Sequence, residues 1–364
     1  MKERRVIISG GGTAGHIYPA LAVGRKLKDK DPNILLTYVG TSRELEKNIM
    51  KHHQVDFIPL IIEGIKRRGL KALKALLLLP FSFIKSWAIL KHQKPSLVVG
   101  VGGYSSGPIV LLASWKKIPT LILEQNYHPG LTNRLLRRWV RKAVVSFEGS
   151  IPLFKGKAIF IGNPVREEFY HLSPKQKNEK LTLLIFGGSQ GSHFLNKGIR
   201  AALPLIKKET ESLRFFHQTG NRDLAWVKES YEQHGFQDVT IAPYFSDMAS
   251  YFQKSDLIIS RAGATTIAEF IASQKASLLI PFSQAADNHQ VLNARELEKI
   301  GGAEILLEEE FTPEKLADKI IYFLQHKERI IQMEKNLARL KTENVSEKIA
   351  DLCLDLMKKR KESK

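Results

Sequence analysis

Four glycine-rich stretches carry the residues that could do chemistry in this chain. Gly10-Gly11-Gly12-Thr13-Ala14-Gly15-His16 follows the apolar run Val6–Ser9, and Gly100-Val101-Gly102-Gly103-Tyr104-Ser105-Ser106-Gly107 follows Leu97–Val99. Gly187-Gly188-Ser189-Gln190-Gly191 follows Leu181–Phe186, and Arg261-Ala262-Gly263-Ala264-Thr265-Thr266 follows Leu257–Ser260. Glycine lets the backbone turn sharply and approach a ligand closely, and a helix opened by such a turn offers N–H groups and positive dipole to a phosphate. Tight strand-to-helix packing explains some of these glycines, but not the Ser, Thr, Gln and His beside them. None of the turns closes with Gly-Lys-Ser/Thr, so none is a Walker A loop. The first matches G-x-G-x-x-G, a weak dinucleotide signal. An NAD site also wants an acidic residue ending the second strand, which here ends Val39-Gly40-Thr41-Ser42.

His16 is the candidate general base. At a helix N-terminus the dipole disfavours imidazolium and keeps a ring nitrogen able to take a proton; a capping or core histidine is the alternative. Glu269 also has two readings. Thr266-Ile267-Ala268-Glu269 has capping-box spacing, while a carboxylate one turn into a phosphate-facing helix could accept both hydroxyls of a nucleotide ribose. No His, Cys and Asp cluster has metal-ligand spacing, so no metal is expected. The single cysteine, Cys353, excludes an internal disulfide and a four-cysteine zinc site.

The elements that must position these groups read as short apolar strands alternating with helical patterns: Val6–Ser9, Leu35–Val39, Phe57–Ile61, Leu97–Val101, Thr120–Leu123 and Ala143–Phe147. Such an alternation predicts a parallel sheet covered on both faces. After Ala158–Gly162, Asn163-Pro164 and the polar stretch His171–Lys180, the pattern restarts with Leu181–Phe186, Arg214–His217, Val239–Ala242, Leu257–Ser260 and Ser277–Pro281. The fold class is therefore α/β with two Rossmann-like halves. The expected domains are residues 1–163 and 164–343, and a last helix at about 344–360 has a packing partner that the sequence leaves open.

The chain has 364 residues, 43% of them hydrophobic, enough for a core in each half. With 56 Lys+Arg against 37 Asp+Glu, the formal net charge is +19, which favours anionic partners. Nucleic acid is not expected, for want of an RNA-binding signature or recognition helix. No targeting segment is visible, because only Val6–Ile8 is apolar behind Met1–Arg5. The longest apolar run, Ala75–Ile84, contains Pro80 and is too short to span a bilayer. Within Glu63–Ala88, Leu73, Leu76, Leu77, Phe81 and Trp87 are interleaved with Lys71 and Lys74. That composition suits a bilayer interface with cations on anionic headgroups; a crossover helix buried on the sheet is the alternative.

These motifs together resemble the MurG family, bacterial transferases that add N-acetylglucosamine to undecaprenyl-pyrophosphoryl-MurNAc-pentapeptide (lipid I) to make lipid II. The resemblance rests on Gly10–Pro19, Gly100–Pro108, Glu124-Gln125-Asn126 with Gly130–Asn133, Gly162–Arg166, Gly187–Gly191, Asp247–Ala249, Ser260–Glu269, and Pro281-Phe282 with Asp287–Ala294. It implies a GT-B fold, two facing Rossmann-like domains with an inter-domain cleft. The first would bind acceptor and membrane, and the second UDP-N-acetylglucosamine, a substrate rather than a cofactor. For the donor it implies Arg166 and Ser189 near the diphosphate, Phe245 by the uracil, Ala264, Thr265 and Thr266 on the phosphates, and Glu269 on the ribose. His289 and Gln290 would meet the sugar, and Thr13, Ala14, Gly15 and Asn126 would complete the donor site. Gly102, Gly103 and Tyr104 would hold the acceptor pyrophosphate, and His16 would be the base. Ala14 stands where many members have glycine, and Asn288-His289-Gln290 departs from the paired glutamines of some members. The implied location is peripheral, on the cytoplasmic face of the bacterial cell membrane. Other readings are a transferase with another lipid acceptor, a UDP-sugar 2-epimerase, or a UDP-sugar-binding scaffold.

Overall fold

The computed structural model describes residues 4–12, 14–62, 70–173 and 179–362. Thr13 lies outside the described residues, as do the side chains of Ala14, Lys71, Leu73, Lys74 and Leu76. The chain forms two units, residues 1–165 with 344–364, and residues 166–343.

The first unit runs β1 (Arg4–Ser9), α1 (Ala14–Lys30), β2 (Ile34–Thr41), α2 (Glu44–His52), β3 (Phe57–Leu60), α3 (Leu70–Gln93), β4 (Leu97–Gly100), α4 (Ser106–Trp115), β5 (Thr120–Glu124), α5 (Leu131–Leu136), β6 (Lys142–Val145) and β7 (Ala158–Phe160). Its seven strands lie in the order β3-β2-β1-β4-β5-β6-β7. All pairings are parallel, with Val6 opposite Leu36 on one side of β1 and Ile8 opposite Val99 on the other. β4 and β5 are buried along their whole length, as strands with helices on both faces must be. Helix α3 passes through Pro80 without ending.

The second unit runs β8 (Leu181–Phe186), α6 (His193–Ala202), β9 (Leu213–Gln218), α7 (Leu224–Gln233), β10 (Val239–Ala242), α8 (Met248–Lys254), β11 (Leu257–Ser260), α9 (Ala264–Ser273), β12 (Ser277–Leu279), α10 (His289–Lys299), β13 (Ala303–Ile305), α11 (Pro313–Gln325) and α12 (Lys327–Ala338). The six parallel strands lie in the order β10-β9-β8-β11-β12-β13. Strand β13 is absent from the sequence-based expectation: three residues beside Gly301-Gly302 carry too little periodicity to declare a strand.

The strand order reverses direction between β1 and β4 in the first sheet and between β8 and β11 in the second. In open parallel sheets this is where a crevice opens at the carboxyl ends of the strands. The four glycine turns are the loops leaving those four strands.

The last helix, α13 (Val345–Glu362), returns to the first unit. Val345, Ile349, Ala350, Cys353, Leu356 and Met357 pack into the core that also holds Ile17, Ala20, Leu21 and Val23 of α1. Lys30 pairs with Glu347 and Asp351, each at 2.9 Å, on the exposed rim. Burial rather than the ion pairs must hold this helix, since exposed pairs contribute little. Ile349→Ala is expected to cost about 2–4 kcal/mol in urea unfolding, whereas Lys30→Ala should leave the midpoint nearly unchanged. The reverse ranking would refute this account.

Candidate active site

In the first unit the turns after β1 and β4 interlock. Gly102 and Gly103 adopt left-handed φ of 92° and 76°. A Cβ on Gly102 would lie 2.9 Å from Cδ2 and Nε2 of the His16 ring, and one on Gly103 would collide with the Gly11 carbonyl. Glycine is thus required twice, once to back the imidazole and once to let the two turns touch. His16 sits in the first turn of α1, as expected. Ser9 ties the turns from below, its hydroxyl lying 3.0 Å from the Val39 carbonyl and 3.2 Å from that of Ser105. Tyr104 follows directly and is half-buried.

Asn126 owes its place to Glu124, the buried last residue of β5. One carboxylate oxygen of Glu124 accepts the Asn126 backbone N–H at 3.0 Å and its amide at 3.3 Å. The other accepts the Gly130 N–H at 3.0 Å and the Asn133 amide at 2.8 Å. Burial pushes the Glu124 carboxyl upward, against the pull of these donors. The Glu124-Gln125-Asn126 and Gly130–Asn133 stretches are one tie, in which a carboxylate closes a loop onto the sheet edge.

In the second unit the turn after β8 is closed by residues from β9. Gln218 donates from Nε2 to the Gly188 carbonyl at 2.9 Å and accepts the Phe245 N–H at Oε1 at 2.7 Å. It therefore couples the Ser189 turn to the loop carrying Phe245. Phe245 is only 3% exposed and its ring stacks on Tyr251 at 3.8 Å, so the ring is packed into this unit. Ser189 is exposed. Behind the turn, Asp223 accepts hydrogen bonds from the Asn196 amide at 2.8 Å and the Trp226 indole at 3.3 Å, and pairs with His193 at 2.9 Å. Burial opposes ionisation of Asp223, yet these donors hold its carboxyl below the ordinary value. His217, next in the same network through Asn196 at 3.0 Å, is pushed down to about 3 by burial and stays neutral.

Helix α9 begins at Ala264 with Gly263 as its N-cap, so Ala264, Thr265 and Thr266 form its first turn and present its N–H groups. This start overturns the capping-box reading of Glu269, because Thr266 is already inside the helix and the carboxylate lies beyond the cap. Glu269 instead pairs with Arg166 at 3.7 Å, with its side chain 13% exposed. Arg166 also reaches Glu168 at 3.4 Å and lies over the Phe169 ring. Burial raises the Glu269 carboxyl to about 7 despite the opposing arginine.

Arg261, just before this helix, is a brace. It donates to Ser192 Oγ at 3.1 Å and the Ile280 carbonyl at 2.9 Å, pairs with Glu308, and lies over the rings of Phe194 and Phe282. Gln290 Oε1 accepts the Ala262 N–H at 3.2 Å and the Phe282 N–H at 3.0 Å. Asp287 and Asn288 precede it with φ of 55° and 53°, a left-handed pair that Asp and Asn tolerate better than other side chains. They turn the chain into α10, which opens with His289 and Gln290.

The structure thus brings Arg166 to Glu269, Gln290 to the turn before α9, Gly102 to His16, and Asn126 to its loop. Sequence reasoning missed Gln218, Asp223, Asn196 and Glu308, whose partners lie far away in the chain and leave no spacing to read. On α3, Leu77, Phe81, Ile84 and Trp87 are exposed, Phe81 by 68%. Lys91 and Lys116 lie over the Trp87 ring at 5.1 and 5.7 Å. Trp115 and Trp139, also exposed, meet edge to face and were not anticipated. Among the described residues no helix is long and apolar enough to cross a membrane, and no group of three or more His, Cys, Asp or Glu is placed to hold a metal ion.

The glycosyltransferase family 28 N-terminal domain matches residues 6–145, and the glycosyltransferase family 28 C-terminal domain matches residues 182–350. The UDP-N-acetylglucosamine–N-acetylmuramyl-(pentapeptide) pyrophosphoryl-undecaprenol N-acetylglucosamine transferase of Myxococcus xanthus is 40% identical over 97% of this chain and 93% of its own. The crystal structure of MurG from Acinetobacter baumannii superposes with a TM-score of 0.78 at 29% identity, over 97% of this chain and 99% of that one. A UDP-GlcNAc 2-epimerase from Neisseria meningitidis, TM-score 0.65 at 14% identity over 98% of this chain and 100% of that one, shares the fold only. Two parallel-sheet units of the GT-B class and full-length relatives of one name agree: this chain belongs to the MurG family of N-acetylglucosaminyltransferases.

Proposed function

We propose that the chain transfers N-acetylglucosamine from UDP-N-acetylglucosamine to the muramyl 4-hydroxyl of lipid I, with inversion, forming lipid II at the cytoplasmic face of the membrane. The observation that carries this reading is the near-full-length relationship, at 40% identity, to a transferase named for that reaction. In the step proposed, the acceptor oxygen forms a bond to the anomeric carbon while the bond to the diphosphate oxygen breaks. His16 takes the hydroxyl proton and UDP departs with the electron pair. The first turn of α9, Arg166 and the turn at Ser189 would receive the diphosphate charge, the role that helix N-termini and fixed donors fill elsewhere. Glu269 would accept the ribose hydroxyls. Because the Gln290 amide oxygen already serves two backbone N–H groups, its nitrogen would be the group that meets the sugar, beside His289. Thr13, Ala14, Gly15 and Asn126 would complete the donor site, and Gly102, Gly103 and Tyr104 would take the acceptor pyrophosphate. The apolar face of α3 with Trp115, Trp139 and the lysines around Trp87 would rest on an anionic bilayer surface.

Incubation with labelled UDP-N-acetylglucosamine and a short-chain lipid I analogue should release UDP only with acceptor and yield a disaccharide product. Interconversion of the sugar without acceptor would indicate an epimerase instead. His16→Ala should lower kcat about 100-fold or more, within the range of general-base catalysis; near-native turnover at saturating substrates would remove His16 from that role.

Glu269 makes a pH test possible. Its folded carboxyl titrates at about 7, above the ordinary 4.5. The stability it allows is fully present below pH 4.5 and is lost as pH rises through 7. Glu269→Gln should therefore gain stability over the parent at pH 8, by a few kcal/mol, and not at pH 4.5. Donor affinity should show the opposite cost: rising from pH 6 to 8 in the parent, and weaker and flatter in Glu269→Gln by calorimetry. An unchanged pH profile in the variant would contradict the ribose role. For the membrane face, Phe81→Glu should reduce sedimentation with vesicles rich in anionic lipid while leaving turnover on a water-soluble acceptor intact.

A further inference from the structure

The first glycine turn is gripped from below by a carboxylate that has no part in the reaction proposed above. Glu46, in the first turn of α2, is 1% exposed. Its Oε2 accepts the Gly12 N–H at 3.1 Å and the Thr41 hydroxyl at 2.6 Å. Its other oxygen fills a slot that two glycines open, since a Cβ on either Gly11 or Gly40 would collide with it. Arg43, at the N-cap of the same helix, donates to the Gly12 carbonyl at 2.7 Å. Both polar groups of Gly12, which holds a left-handed φ of 91°, are thus taken by α2. Gly12 lies two residues before α1 begins and four before His16.

An N–H that already donates to a carboxylate is withdrawn from an incoming phosphate, and the buried charge repels an anion at that spot. Burying a carboxylate also costs stability that an apolar side chain would not. We propose that Glu46, assisted by Arg43, is a positioning residue: it occupies the underside of the Gly10–Gly12 turn where a phosphate would otherwise sit. The turn is thereby fixed to aim His16, and anion recognition in this unit passes to the turn at Gly102–Tyr104. The glycines of the G-x-G-x-x-G pattern admit a side chain of the protein itself, not a dinucleotide. This inference rests on the reading of His16 as the base.

The test is steady-state kinetics of Glu46→Gln, Glu46→Ala and Gly40→Ala with His16→Ala in parallel, each rate normalised to folded enzyme. A reacting group displaced by about 1 Å loses about 100-fold in rate. Glu46→Ala should therefore lose about that much kcat, and the isosteric Glu46→Gln about tenfold, with the KM for UDP-N-acetylglucosamine within twofold of the parent. Gly40→Ala should lower kcat in the parent and add little in the Glu46→Ala background, because both changes undo one contact. A parental kcat in Glu46→Gln and Gly40→Ala, with only the melting temperature reduced, would overturn the proposal even if Glu46→Ala fails to fold. If His16→Ala keeps its turnover, the base assignment falls and the aiming role of Glu46 falls with it, whatever the kcat of Glu46→Gln. If His16→Ala loses turnover and Glu46→Gln does not, the grip alone is wrong.

Discussion

The reversal of strand order between β1 and β4, and between β8 and β11, is the constraint from which the chemistry of each unit follows. Right-handed crossovers send helices to opposite faces on the two sides of such a point, so the loops leaving the two adjacent strands diverge and leave a crevice. Four loops meet that condition, and those four carry the glycine turns. A loop leaving a buried parallel strand must turn at once into a helix, and glycine allows the turn without a side chain in the gap. The helix that follows then presents its N–H groups toward the carboxyl edge of the sheet. Topology and turn chemistry therefore act on the same few residues.

Such loops would be loose if nothing tied them, and buried or half-buried carboxylates supply several of the ties. Glu46 holds Gly12, Glu124 holds Asn126 and Gly130, Asp223 holds Asn196 and His193, and Glu308 holds Ser283 and Arg261. Glu124 and Asp223 each receive several donors, as a buried charge requires. Glu269 differs. Its pairing with Arg166 is long, at 3.7 Å, and its carboxyl is held near 7 by burial. A carboxylate so weakly compensated in the protein is suited to receive hydroxyl donors from a ligand, whereas Glu124 and Asp223 already have several donors in the fold.

The two units use this plan differently. In the first, the glycine turns lean on each other and on His16, and the exposed apolar face of α3 carries cations over an indole. In the second, amide side chains do the joining: Gln218 between the Ser189 turn and Phe245, and Gln290 between the turn before α9 and Phe282. Gln218 donates and accepts at once and Gln290 accepts twice at one oxygen, so each spans two segments without carrying a charge beside an anionic ligand.

Local pattern was enough for much of this protein. Near-continuous apolar runs such as Leu181–Phe186 declared buried parallel strands, glycines after them declared turns, and the grouped stretches around His16, Asn126 and Glu269 declared a sugar-nucleotide transferase by resemblance. These are properties of neighbouring residues, and a sequence displays neighbours. What it could not display was distance closed by folding. That Glu269 pairs with Arg166 and does not cap its own helix depended on where α9 starts. That α13 packs on α1, that Glu46 sits beneath Gly12 from 34 residues away, and that Gln218 reaches both Gly188 and Phe245 depended on crossovers returning to one sheet edge. A buried carboxylate or amide reads in sequence like any surface one, and only the tertiary structure, by removing its water, decides which partner it must find.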